Sequence, residues 1–122
     1  MRVLRIFADS IGESHFDVQD LAMALQDYAP PAAPLLVSQP YGASRLVVIE
    51  LPVGWGGDKP HPPPGRQMVF LLSGTVNIVA SDGDSRIVGV GDAVLLEDTT
   101  GKGHTTSVTS NVPVVAVMVR LE

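Results

Sequence analysis

Three histidines and a small set of carboxylates are the side chains of this sequence best suited to metal or acid–base chemistry. There is no cysteine, so a disulfide, a thiolate metal site and a cysteine nucleophile are all excluded. His61 stands before Pro62-Pro63-Pro64. A residue preceding proline is biased to extended geometry, and three prolines in a row stiffen the segment they occupy. Such an imidazole is held well enough to ligate a metal or to hydrogen-bond a small molecule; the plainer alternative is a loop histidine beside a turn. Gln67 opens an apolar run to Leu72, in which alternation puts Gln67, Val69 and Leu71 on one face and Met68, Phe70 and Leu72 on the other. Both faces are apolar, so this strand is expected to be covered on both sides. If buried, Gln67 needs hydrogen-bond partners, and its amide offers a neutral oxygen and an NH2 donor. If it sits at an edge, it reaches solvent. His104 closes the Gly101-Lys102-Gly103 loop and opens another strand.

Further groups adjoin these. Glu97 and Asp98 stand at the end of the strand Ala93–Glu97. Burial would raise a carboxyl pKa and make either residue a candidate general acid or base, whereas a solvated turn acid is the commoner case. Alternation puts them on opposite faces without saying which face looks inward. Trp55, the only tryptophan, lies among Gly54, Gly56 and Gly57, where it could stack over a pocket mouth or plug the end of a barrel. Arg66 could clamp a carboxylate, but as a neighbour of Gln67 it points to the other face, toward the surface. His15 has no partner at ligand spacing and reads as a turn residue. Gly101-Lys102-Gly103 lacks the spacing of a phosphate loop.

These residues must be positioned by β-strands. Val3–Phe7, Arg45–Leu51, Gln67–Leu72, Thr75–Ala80, Arg86–Val90, Ala93–Glu97, His104–Val108 and Val114–Leu121 are short apolar or β-branched runs separated by turn residues. That rhythm predicts an all-β sandwich or barrel. Ser73-Gly74 reads as a tight hairpin, Ser81-Asp82-Gly83-Asp84 as a second turn and Gly91-Asp92 as a third. Residues 17–28 carry helical spacing, with Asp17 as an N-cap, and also allow extended pairing; read by themselves they favour helix. The prolines from Pro30 to Pro34 predict a stiff surface crossing.

The run from His61 to Gly74 resembles the first motif of the cupin superfamily, H-x-H-x3-E-x6-G, with its spacing kept. Pro63 replaces the second histidine and Gln67 the glutamate. Gly91 to His104 is similar to the second motif, G-x5-P-x-G-x2-H, with Glu97 at the proline position and a loop longer by two residues. The resemblance covers Leu46 to Val119 and implies a double-stranded β-helix, or jelly roll, of two antiparallel sheets. It also implies metal-ligand positions at His61, Gln67 and His104, and dimerisation through an outer sheet face and N-terminal strands. It favours an extended arm at 17–28 over the helix, and extended structure is the expectation there. One domain spanning 1–122 is expected, with 1–44 as an extended arm and crossing and 45–121 as the barrel.

The expected function is binding of a small organic molecule, anionic ones included, inside that barrel, with His61, Gln67, His104 and Trp55 as ligand-binding residues. One form of it is a divalent-metal enzyme of isomerase or lyase type, holding zinc, nickel, iron or manganese weakly through His61, His104 and Gln67, with Glu97 or Asp98 as the catalytic acid or base. The alternative is a metal-free, non-catalytic binding module. Apolar residues on both faces of three strands predict a homodimer. A net charge of −5 with scattered basic residues argues against nucleic acid. The N-terminus lacks a signal-like apolar region and the longest apolar run, Val114 to Val119, is too short to span a bilayer, so a cytoplasmic location without membrane association is expected.

Overall fold

A computed structural model describes all 122 residues and contains strands but no helix. The strands are β1 (Arg2–Ala8), β2 (Ser14–Asp20), β3 (Met23–Gln26), β4 (Leu35–Ser38), β5 (Ala43–Leu51), β6 (Gln67–Ser73), β7 (Val76–Ala80), β8 (Ser85–Val88), β9 (Ala93–Glu97), β10 (His104–Val108) and β11 (Val114–Leu121). No helix is present that could cross a membrane. Residues 17–28 are extended, as β2 and β3, and Pro30 to Pro34 run exposed between β3 and β4.

Three sheets form instead of the two expected. A six-stranded sheet has the order β2-β1-β9-β6-β11-β5, a three-stranded sheet β10-β7-β8, and a two-stranded ribbon β3-β4. Pairing is antiparallel except between β1 and β9, which run parallel with Leu4 opposite Val94 and Ile6 opposite Leu96. The main core lies between the two larger sheets. Ile6, Leu71, Val94, Leu96, Val114 and Ala116 enter it from one side, and Val76, Ile78, Ala80 and Val88 from the other. The arrangement fits a jelly roll.

Two expectations fail on connectivity. Ser73-Gly74 does not close a hairpin, because β6 and β7 belong to different sheets. The chain turns a corner there: Gly74 has φ +71°, and a side chain on it would meet Ser110 Oγ at 2.7 Å and Val114 Cγ2 at 2.8 Å. Ser81 to Asp84, by contrast, does join the paired strands β7 and β8. The second failure is the N-terminal arm. β1 is an inner strand of the largest sheet, with Val3 and Ile6 essentially inaccessible on its two faces. Truncating a side chain as buried as Ile6 to alanine costs about 2–5 kcal/mol, so these residues carry the barrel. Val3–Phe7 reads as a strand in the sequence; its place inside the largest sheet does not. Only β3, β4 and their flanks stand apart as an arm.

Val3 belongs to a smaller apolar cluster on the outer face of the main sheet, with Met68, Ala93, Leu95 and Leu121. That cluster covers Met68, while Phe70 and Leu72 on the same face of β6 are exposed. β6 is therefore covered on both sides only at its beginning.

Candidate functional site

A cavity of about 450 Å³ opens between the two larger sheets. Strand alternation dictates its lining. Gln67, Val69 and Leu71 of β6, Val94 and Leu96 of β9, and Val114, Ala116 and Met118 of β11 all point into it. Ile49 and Leu51 of β5 and Val76 and Ile78 of β7 complete an apolar wall.

The polar groups gather at one end, as the strand registers require. Gln67 and His104 each open a strand. Gln67 is opposite Leu96, two residues before Asp98, and His104 is opposite Ala80. Toward the other end, Leu71 lies further along β6, and Val76 of β7 is opposite Val108, the last residue of β10.

His61 is brought to His104 through the backbone. The segment Trp55 to His61 runs antiparallel along the free edge of β10, and the two histidines exchange amide-to-carbonyl bonds of 3.2 Å in both directions. Val108 N–H donates to the Trp55 carbonyl at 2.8 Å, and Gly56 bridges Ser107. Gly103 allows this approach. It has φ +73°, and a Cβ there would overlap the His61 carbonyl group. His61 itself stays exposed at the mouth, its Nδ1 3.1 Å from the Pro62 carbonyl oxygen. Trp55 also lines the cavity, 43% exposed, so it borders the opening and does not plug it.

His104 is nearly buried, and its Nδ1 lies 2.6 Å from Oδ2 of Asp98. Asp98 has no exposure at all, and its second oxygen, Oδ1, has no partner. A carboxylate accepts only, so Nδ1 carries the proton in neutral His104 and Nε2 is left unprotonated. Nε2 has no partner within the chain. Gln67, 6% exposed, makes no side-chain hydrogen bond either, so its amide is free for a ligand.

Glu97 is placed differently. It lies on the outer face with Leu95, outside the cavity, where Oε1 accepts from Arg5 Nε at 2.7 Å and Oε2 from Arg66 Nε at 2.6 Å. The expectation that Glu97 could serve as the catalytic acid or base is corrected on this ground: both its oxygens are committed to arginines and it cannot reach the cavity. Arg66 points to that same face, as alternation predicts, with Glu97 for its partner. Alternation cannot tell Glu97 from Asp98 until the inward face of β9 is fixed.

The loop that carries Asp98 and His104 is fastened from behind by the β1–β2 connection. Ser14 Oγ–H donates to the Gly103 carbonyl at 2.7 Å, and Lys102 N–H donates to the Gly12 carbonyl at 2.9 Å. Lys102 Nζ pairs with Glu13 Oε2 at 2.7 Å, which holds the Glu13 carboxyl below its usual range. His15 is not a turn residue. It is the second residue of β2, with Nε2 2.7 Å from Asp9 Oδ2 and Nδ1 2.9 Å from Asp82 Oδ2. Asp9 first, then Asp82, raise the pKa of its ring. Nothing in the spacing of His15 indicates these partners, because Asp82 is brought in by the β7–β8 turn.

As a metal centre the cavity is poorly supplied. Pro63 offers no donor, Gln67 no charge, and Asp98 stands behind His104. No group of three or more His, Asp or Glu side chains converges anywhere as metal donors. Two imidazoles and a neutral amide fall short of the sets that hold a dication.

A family model described as "Cupin domain" matches residues 47–120, more than half of the chain. No curated protein matches the sequence.

Proposed function

The chain belongs to the cupin domain family, and from that premise we propose that its barrel cavity binds a small, largely apolar organic molecule without a metal. The observation that carries this reading is the lining itself: an apolar chamber of about 450 Å³, the size of small-ligand sites, with unengaged polar groups of Gln67 and His104 at one end. Apolar residues supply the driving force for entry. The amide and the imidazole orient the ligand, and Trp55 and His61 border its path. The binding module is favoured over the metal enzyme because the donor set is incomplete: Pro63 offers no donor and Gln67 no charge.

The test is fluorescence titration with the neutral naphthalene dye prodan, beside metal analysis of untagged protein. Saturable dye binding is expected, and Ala116→Trp, which fills the chamber, should abolish it while leaving a cooperative thermal transition. Tight stoichiometric metal in the wild type, or dye binding that survives in the folded tryptophan variant, would sink the proposal.

The same reading includes a homodimer. The β3-β4 ribbon pairs with no other strand of its own chain, and isolated two-stranded ribbons are marginal in water. Leu25 and Leu36 on it, and Leu46 and Val48 on the edge strand β5, stand exposed. A second copy covering these residues would give the ribbon the packing it lacks.

A further inference from the structure

We infer that the cavity selects apolar molecules bearing a hydroxyl, such as a phenol or an alcohol, with the hydroxyl donating to Nε2 of His104 and with Asp98 as the positioning residue. This rests on the proposed binding role of the cavity and specifies the ligand class. The 2.6 Å contact between Asp98 Oδ2 and His104 Nδ1 fixes the tautomer, since a carboxylate cannot donate. The nitrogen left over is therefore an acceptor, and it has no partner in the chain. Asp98 has no exposure, and its other oxygen, Oδ1, has no hydrogen-bond partner. At that end an anionic ligand group would meet an acceptor, Nε2, backed by a carboxylate. A hydroxyl meets the opposite situation: it donates to Nε2, while its oxygen can accept from the Gln67 amide, which is also unengaged. Most of the remaining lining is apolar and favours an apolar body; its other polar members are Asp58, Lys59, His61, Thr105 and Thr106. A carboxylate gains nothing from an acceptor Nε2, and the lining cation, Lys59, stands exposed beside Asp58 on the Trp55–His61 segment; the hydroxyl compound is therefore expected to bind more tightly than the acid.

Two measurements on folded protein test the inference. The first is nitrogen-15 NMR of the histidine rings at mildly alkaline pH, with the His104 signals assigned by their loss in His104→Phe. The wild type should show His104 as a single tautomer protonated at Nδ1. Asp98→Asn should give a mixture, because an amide can either donate to Nδ1 or accept from it. A proton on Nε2 in the wild type would overturn the inference with no ligand involved. The second is calorimetry with para-cresol, its methyl ether and para-toluate. Cresol should bind about tenfold more tightly than the ether, the equivalent of one hydrogen bond, and more tightly than toluate. The preference over the ether should vanish in His104→Phe and shrink in Asp98→Asn, with their melting transitions checked. Equal binding of cresol and ether, or tighter binding of toluate, would overturn it. If prodan binds and none of the three does, the hydroxyl specificity is wrong and the cavity reading survives. If prodan does not bind either, both fall.

Discussion

Replacing Gly103 by alanine should damage the site and the fold together, and Gly83 provides the control that separates the two causes of damage. Both glycines are left-handed, with φ +73° and +91°. Forcing an L side chain into that region costs about 1–2 kcal/mol. Around Gly83 a new Cβ meets nothing within 4 Å, so Gly83→Ala should lose that amount and no more. At Gly103 the new Cβ would overlap the His61 carbonyl group. The Trp55–His61 segment must then move off β10, and the two 3.2 Å backbone bonds between His61 and His104 are lost. At about 0.5–1.5 kcal/mol each, they add about 1–3 kcal/mol, for a total of about 2–5 kcal/mol. Urea unfolding of the two variants, read at the midpoint with the slope unchanged, isolates the difference. Gly103→Ala should lie about 1–3 kcal/mol below Gly83→Ala, and only Gly103→Ala should lose dye binding. Coincident midpoints would refute the claim that close backbone approach at Gly103 holds the mouth of the cavity in place.

Other expectations rest on the same geometry. Light scattering at micromolar concentration should give twice the monomer mass of 12.9 kDa, and the double substitution Leu25→Lys, Leu36→Lys should give the monomer; a monomeric wild type would end the dimer reading. The pKa of His15 is held above its ordinary 6.5, so folding favours the protonated ring. Its contribution is full below pH 6.5 and is lost as pH rises through the raised folded value, while that of Asp9, held below 3.8, is lost as pH falls through its lowered one. Melting curves of wild type and His15→Gln should therefore differ more at mildly acidic than at mildly alkaline pH, and an equal margin at both would contradict the clamp. Glu97→Gln should lower stability by about 1–3 kcal/mol through its two arginine partners and leave cavity affinity unchanged; an altered affinity would show that the outer network reaches the site.

Most strands are legible because short apolar or β-branched runs between turn residues encode extended structure locally, and the bounds of β9, β10 and β11 coincide with the runs read from the sequence. What stays hidden is which strands meet. Ser73-Gly74 and Ser81 to Asp84 have similar turn chemistry, yet one is a corner between sheets and the other a hairpin, a distinction made by distant Val114 and Ser110. β1 reads as part of an arm because its parallel partner, β9, lies far along the chain, with Leu4 opposite Val94. That His61, Gln67 and His104 line one cavity is expected from the resemblance to the two cupin motifs and not from spacing alone. The roles of Asp98 and Glu97 cannot be read from the sequence, because a slip of one residue exchanges a buried partner of His104 for a surface ion pair.

Gln67 and His104 occupy the first positions of their strands, and the apolar wall is built further along the barrel. On the proposed reading, recognition of a ligand's polar head and accommodation of its body are thus assigned to different residues. Substitution at Leu71, Val76 or Ala116 can resize the chamber without disturbing the hydrogen-bonding end, and exchange of Gln67 can change the head group that is accepted without resizing the chamber. A lineage carrying this barrel can explore new ligands along two independent axes, one step at a time. Pro63 and Gln67 stand at the positions where the motif that the sequence resembles has histidine and glutamate, beside a chamber whose wall is mostly apolar.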